Sequence, residues 1–201
     1  MSDSQQFKAK VDLRLKLLRQ YAEAGHKLNV MDCCAGKRAI WKQIGQKVDL
    51  DSYMGFDIMA SEVNNIICDS IRWLKDVGIS GNVVDVDTYG LPWTHYRAIY
   101  QAKWPESEIL VFLTASLGCE SGLTTGELEA IGIPDDWRGQ LPTISWELRD
   151  AVVAACIHSC REGAVRVKSG SMVTLSGNSS RDYYMGLWLE RVDEDCMLSS
   201  Q

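Results

Sequence analysis

Short apolar runs of strand length alternate with stretches of helical periodicity from residue 27 to residue 116. That rhythm limits the fold more than any other property of the chain. Lys27–Cys33, Tyr53–Ile58, Asn65–Asp69, Asn82–Asp87 and Ile109–Thr114 read as strands, the last being the most apolar. Lys37–Gln46, Ser70–Val77 and Thr94–Trp104 read as the helices between them, the third ended by Pro105. Strands joined through helices imply right-handed crossovers and a doubly wound, mostly parallel sheet. An amphipathic helix over residues 7–24 precedes the alternation. It sets Phe7, Val11, Leu15 and Leu18 at helical spacing, with Lys8, Lys10, Arg14, Lys16 and Arg19 among its polar positions. Gly25 stops it.

The last third departs from the rhythm. Residues 117–142 are rich in Gly, Pro, Thr and Asp and read as an irregular insertion with one short helix near Thr125–Ile131. Ser145–Arg161 reads as a long helix. Ser171–Ser176 and Tyr183–Val192, flanking the polar turn GNSSRD, read as an antiparallel hairpin. The expectation is a single α/β domain, Rossmann-like, with a terminal antiparallel hairpin. Its parts are an N-terminal helix (1–26), a cofactor-binding core (27–116), the insertion (117–142), and a terminal helix and hairpin (143–201).

Composition narrows the class. The chain has 201 residues, enough for one buried core, and 46% hydrophobic residues against 24% charged, which argues against disorder. No apolar run approaches the ~20 residues needed to span a bilayer, and the polar start lacks the apolar core of a signal peptide. Seven cysteines, an odd and scattered number, do not form a disulfide framework. A reducing cytoplasm is the expected compartment. The net charge is −6. Residues 1–50 carry a local +5 and the remainder −11, so a nucleic-acid partner would meet a local basic patch rather than a basic surface.

Open α/β sheets bind ligands at the carboxyl ends of their strands. After the first strand comes the small-residue turn Asp32-Cys33-Cys34-Ala35-Gly36-Lys37-Arg38, which lets a ligand approach the backbone. It has neither the G-x-G-x-x-G spacing of a dinucleotide site nor a P-loop pattern. After the second strand, Asp57 followed by Ile58 offers a carboxylate to the hydroxyls of a ribose, or caps the next helix. After the third, Asp69 and Ser70 offer hydrogen bonds to an adenine edge or an N-cap. After the fourth comes Asp87-Thr88-Tyr89-Gly90-Leu91-Pro92-Trp93. Asp87 can accept a hydrogen bond from an amine, and Tyr89 and Trp93 offer flat faces to a base. Four such groups at four consecutive strand ends say more than any one of them.

With these motifs the chain resembles the class I S-adenosylmethionine-dependent methyltransferases. It resembles most narrowly the catalytic domain of the tRNA guanine N2,N2-dimethyltransferase group. Gly36-Lys37-Arg38-Ala39-Ile40 matches that group's Gly-x-Arg-Ala-Ile/Leu. Asp87-Thr88-Tyr89-Gly90-Leu91-Pro92 matches its Asp-Pro-Phe/Tyr-Gly-x-Pro, with Thr88 in place of the first Pro. The resemblance covers roughly residues 27–116. It implies S-adenosylmethionine as cofactor. Asp32, Cys33, Ala35, Gly36 and Arg38 would hold its methionine part, Asp57 its ribose hydroxyls, and Asp69 and Ser70 its adenine, with Ile58 also in contact with the cofactor. Asp87 and Tyr89 would be catalytic, and Thr88, Gly90, Pro92 and Trp93 would contact substrate. The implied activity is N-methylation of an exocyclic amine on a nucleobase in DNA or RNA.

Two other readings stand beside it. The acidic balance of residues 51–201 favours a small-molecule or protein N-methyltransferase. Thr88 and the glycine-poor first turn favour a methyltransferase-fold protein without turnover. Cys156, His158 and Cys160 read as part of a structural helix rather than a metal site, because no second ligand pair accompanies them. His26 and His95 read as surface or turn residues without partners. Trp137 and Trp146 read as anchors of the insertion. The basic face of helix 7–24 is the place where phosphates would be met.

Overall fold

A computed structural model describes residues 3–59, 65–88, 92–118, 165–176 and 180–192, together with Ala154. In chain order its elements are α1 (Asp3–Glu23), β1 (Asn29–Asp32), α2 (Ala39–Ile44), β2 (Ser52–Asp57) and β3 (Ile66–Ile67). There follow α3 (Ser70–Asp76), β4 (Val83–Val86), α4 (Trp93–Gln101), β5 (Glu108–Gly118), β6 (Val165–Ser176) and β7 (Ser180–Arg191). Every strand and helix read between residues 7 and 116 is present. The expected insertion begins later than 117, because β5 runs on to Gly118 in register with Ser180 of β7. The rest of 117–142, the helix at Ser145–Arg161 and the residues Trp137, Trp146, Cys156, His158 and Cys160 lie outside the described residues.

The strands form one seven-stranded sheet in the order β3-β2-β1-β4-β5-β7-β6. β1 to β5 are mutually parallel, and β7 runs antiparallel to both β5 and β6. The chain therefore winds outward from β1 in one direction, returns, and winds outward in the other. The reversal opens the sheet's carboxyl edge between β1 and β4.

Strand alternation divides the core between the two faces of the sheet. Val30, Val83, Leu110, Phe112 and Tyr184 point to the face covered by α1 and α2, where they meet Leu15, Leu18, Tyr21, Trp41 and Ile44. Met31, Val84, Val111, Leu113 and Met185 point to the other face, onto Leu74 of α3 and Trp93, Tyr96 and Ile99 of α4. No helix among the described residues is long and apolar enough to cross a membrane.

Candidate active site

A cleft of about 1000 Å³ lies along the carboxyl ends of β1, β2 and β4. The turn after β1 forms its floor. This turn is built largely from backbone bonds. The Cys33 amide donates to Asp85 O at 2.8 Å and the Ala35 amide to Phe56 O at 2.8 Å, so each neighbouring strand holds one end of the turn. Gly36 (φ 46°) and Arg38 (φ 57°) are both left-handed, which turns the chain sharply into α2. Arg38 stays in that conformation with its guanidinium 4.9 Å from the centre of the Tyr53 ring and its Nε donating to Asn65 Oδ1 at 2.6 Å. Asn65 returns a bond from Nδ2 to Gly36 O at 2.9 Å.

Asp57 ends β2 at the rim of this turn. Its Oδ2 accepts from the Gly36 amide at 2.9 Å and its Oδ1 from the Met59 amide at 3.0 Å. Two backbone amides thus hold the carboxylate at the cleft wall, and each oxygen keeps a further lone pair. Beside it Ile58 is 74% exposed at the mouth. Asp69 caps α3, its Oδ1 accepting from the Ile71 amide at 2.9 Å, and still lines the cleft. Ser70 is buried behind it and its hydroxyl lies 3.0 Å from His95 Nε2.

The cleft's floor is acidic and buried. Asp32 is 3% exposed. It accepts from Tyr53 OH at 2.6 Å and from the Cys34 amide at 3.2 Å. Burial, followed by the charge of Asp85, pushes its carboxyl up to about 8 against these two bonds. The same burial pushes the Cys33 thiol well above its ordinary value and Cys34 up to about 12, so neither is a thiolate at neutral pH. Asp85 is held by a two-point bond from Arg14 (Nε to Oδ2 at 2.9 Å, Nη2 to Oδ1 at 2.6 Å) and by Trp41 Nε1 at 2.7 Å.

Asp87 follows β4 and faces the cleft. Its Oδ1 accepts from Lys10 Nζ at 2.6 Å, and both side chains are 19% exposed. Burial raises its carboxyl, but Arg14 and Lys10 outweigh burial and hold it below the usual carboxylate range. Thr88 lines the cleft beside it with its hydroxyl buried and unpartnered.

The cleft therefore gathers Asp32, Cys33, Ala35, Gly36, Arg38, Asp57, Ile58, Asp69, Ser70, Asp87 and Thr88 from the residues singled out in the sequence. Tyr89 and Gly90 lie outside the described residues. Trp93 corrects the expectation. It is not a stacking face but a core residue, 1% exposed. Helix α4 starts at Trp93, one residue earlier than expected, so Trp93 joins Tyr96 and Tyr100 on the buried stripe. Pro92 is buried at the helix start and does not line the cleft.

The two histidines also have partners. His26 stacks on Tyr21 at 4.1 Å and lies 3.3 Å from Glu108. His95 reaches Ser70 and lines the cleft. On α1, Lys8, Lys16 and Arg19 are exposed as expected, whereas Lys10 and Arg14 turn inward to the acids. Arg14 carried a readable signal: it lies three residues after Val11 and four before Leu18, inside the apolar stripe. Asn65 carried none.

The sheet order, the reversal point and the cleft at the carboxyl edge define a Rossmann-like ligand-binding fold. More narrowly, it is the class I methyltransferase fold, and solved structures share it. TYW2 of M. jannaschii in complex with AdoMet superposes with a TM-score of 0.53 at 10% identity, covering 96% of this chain and 78% of its own. Trm1 of Pyrococcus horikoshii with S-adenosyl-L-methionine gives 0.56 at 11% identity, covering 95% of this chain and 56% of its own. EvdMO1 gives 0.51 at 13%, covering 89% of this chain and 40% of its own. No family model and no curated protein sequence matches the chain.

Proposed function

We propose that the chain binds S-adenosylmethionine in this cleft and methylates an exocyclic amine of a nucleobase in DNA or RNA. The observation that carries the reading is the placement of Asp57 and Asp87. They stand at the ends of β2 and β4 on either side of the β1 turn, each fixed by its own bonds. The cofactor supplies an electrophilic methyl group on a sulfonium. Its neighbours would be the Asp32–Arg38 turn along the methionine part, Asp57 at the ribose hydroxyls, and Ile58, Asp69 and Ser70 around the adenine. The amide-held Asp57 carboxylate, with lone pairs left on both oxygens at the cleft wall, fits such a polar ligand. The structures of TYW2 and Trm1 each hold this molecule within the same fold.

Asp87 would accept an N–H of the amine and hold the nitrogen with its lone pair free for the transfer. Because Asp87 is held ionised, it accepts and does not donate. Alignment is the main demand of such a transfer. Tyr89 is proposed to stack beside the base, and Gly90 and Pro92 to shape the turn that carries it. The exposed Lys8, Lys16 and Arg19 on α1 offer phosphate contacts. The free thiols of Cys33, Cys34 and Cys68 fit a reducing compartment. The acidic charge of residues 51–201 favours a second reading, a small-molecule or protein acceptor.

Calorimetric titration with S-adenosylmethionine and S-adenosylhomocysteine is the first test. Micromolar binding, about −8 kcal/mol, is expected for the wild type, weakened ~100-fold in Asp57→Ala. Labelled methyl transfer to DNA, RNA and cell extract then follows. Asp87→Ala is expected to lose at least ~100-fold of the transfer while keeping cofactor affinity. Equal activity in that variant contradicts the role of Asp87. Label that survives nuclease treatment of the extract points to the second reading. Absence of cofactor binding removes the enzyme reading altogether.

A further inference from the structure

Lys10 fixes Asp87 in the reading above, and the same contact bears on what Asp87 can bind. Helix α1 crosses the cleft wall with Gln6, Phe7 and Lys10 lining it. The ammonium of Lys10 sits 2.6 Å from Asp87 Oδ1 and 5.2 Å from the centre of the Tyr184 ring, so a carboxylate and an aromatic face hold it together. One turn further on, Arg14 donates to the Lys10 carbonyl at 3.1 Å. Arg14 is in turn anchored to Asp85 by two bonds, so the segment bearing Lys10 is fixed to the sheet. One turn earlier, Gln6 Nε2 donates to Asp182 at 2.7 Å.

Among the described residues, α1 brings Lys10 and Arg14 to the surroundings of Asp87, β4 brings Asp85 and β1 brings Asp32. Arg14 bonds Asp85 and acts on Asp87 through space, whereas Lys10 bonds Asp87 directly. Asp32, buried and tied to Tyr53, favours its neutral form. Asp87 therefore meets the cleft with its charge already balanced by a cation of the protein itself.

We infer that Lys10 is a specificity-determining residue that makes the Asp87 site select a neutral amine over a protonated alkylamine. The inference rests on Asp87 being the amine-binding group. An alkylammonium would have to displace Lys10 or sit beside it as a like charge, and either is unfavourable at contact distance in a partly buried site. An amine conjugated to an aromatic ring is uncharged near neutral pH and still offers an N–H. It can share the Asp87 carboxylate with Lys10 without charge repulsion. It also keeps the nitrogen lone pair that an ammonium lacks. The pair thus separates acceptors by charge before any chemistry occurs.

Aniline and n-butylammonium, titrated near neutral pH and followed by calorimetry, test this on the full chain. Each titration is run with and without saturating S-adenosylhomocysteine. Wild-type protein is expected to bind aniline more tightly than n-butylammonium. Lys10→Met is expected to tighten n-butylammonium by about tenfold or more relative to aniline. Lys10→Arg keeps the cation and is expected to keep the wild-type preference, which a purely structural role for the lysine stem would not require. Lys10→Gln replaces the Met variant if that one does not fold. A wild-type preference for n-butylammonium overturns the inference, as does no measurable binding of aniline. A change within about twofold in a folded Lys10→Met variant overturns it too, as does Lys10→Arg behaving like Lys10→Met. Failure to bind S-adenosylhomocysteine counts instead against the function proposed above, while the amine preference, read without it, still judges Lys10.

Discussion

Arg14 and Asp85 are each 1% exposed and bonded at two points, so neither charge has water to fall back on. Removing one partner strands the other, and Arg14→Met is expected to cost about 3–5 kcal/mol of unfolding free energy. The double variant Arg14→Met/Asp85→Leu is expected to cost less than the sum of the two singles. It does not reach the wild type, because the Trp41 indole N–H then loses its acceptor. Urea denaturation of the four proteins measures this, and strict additivity would remove the pair's coupling. At this scale the candidate site was legible where chain order and strand ends coincide. Asp57 ends β2, and Asp69 and Asp87 follow β3 and β4 within two residues, so reading the strand located the acid. The partners of those acids come from elsewhere: Lys10 lies 77 residues from Asp87 and Arg14 lies 71 from Asp85. Local pattern has no access to such pairs. Asp69 also shows that two readings of a residue need not compete, since it caps α3 and lines the cleft with the same carboxylate.

At the scale of elements, the alternation of periods placed each strand and helix up to residue 116. The differences arise at the ends. β5 outlasts its apolar stretch because pairing with β7, rather than hydropathy, decides where it stops. α4 takes in Trp93 because the core accepts a third aromatic on its stripe. How α1 packs on the sheet was not legible, and a glycine accounts for much of it. A Cβ on Gly186 of β7 would collide with the side chain of Leu17 and lie 3.0 Å from the Phe112 ring. The bare backbone there is what lets α1 lie close. Gly186→Ala is expected to destabilise the protein by about 1–3 kcal/mol, read as a lower urea midpoint at unchanged slope. A neutral result would mean that α1 can lift without loss.

For the molecule as a whole, buried acids make stability depend on pH in two opposed ways. Burial pushes the Asp32 carboxyl up to about 8 in the fold, whereas an unfolded aspartate releases its proton near 3.8. Between those values the folded state binds the extra proton, so stability falls as pH rises through the window. Asp87 has the opposite sign: its ionised form is favoured in the fold, and its contribution is lost as pH falls. Asp32→Asn is expected to gain on the wild type steadily from pH 5 to pH 8 in thermal unfolding, and a flat difference would contradict the burial argument. Nothing in composition foretells this, because a net charge of −6 does not say which carboxylates are sealed. One further consequence follows from α1 lying against β5, β6 and β7. During synthesis the first helix leaves the ribosome well before the strands it will cover exist. Lys10 and Arg14 can reach their acids once β4 is made, but the bond from Gln6 to Asp182 and the contact of Leu17 over Gly186 wait for the final hairpin. Joining such distant segments is slow relative to local pairing. Until then the part of α1 that β6 and β7 cover stays bare, although its contacts with α2, β1 and β4 can already form. The growing chain thus carries apolar surface prone to aggregation until that hairpin is made.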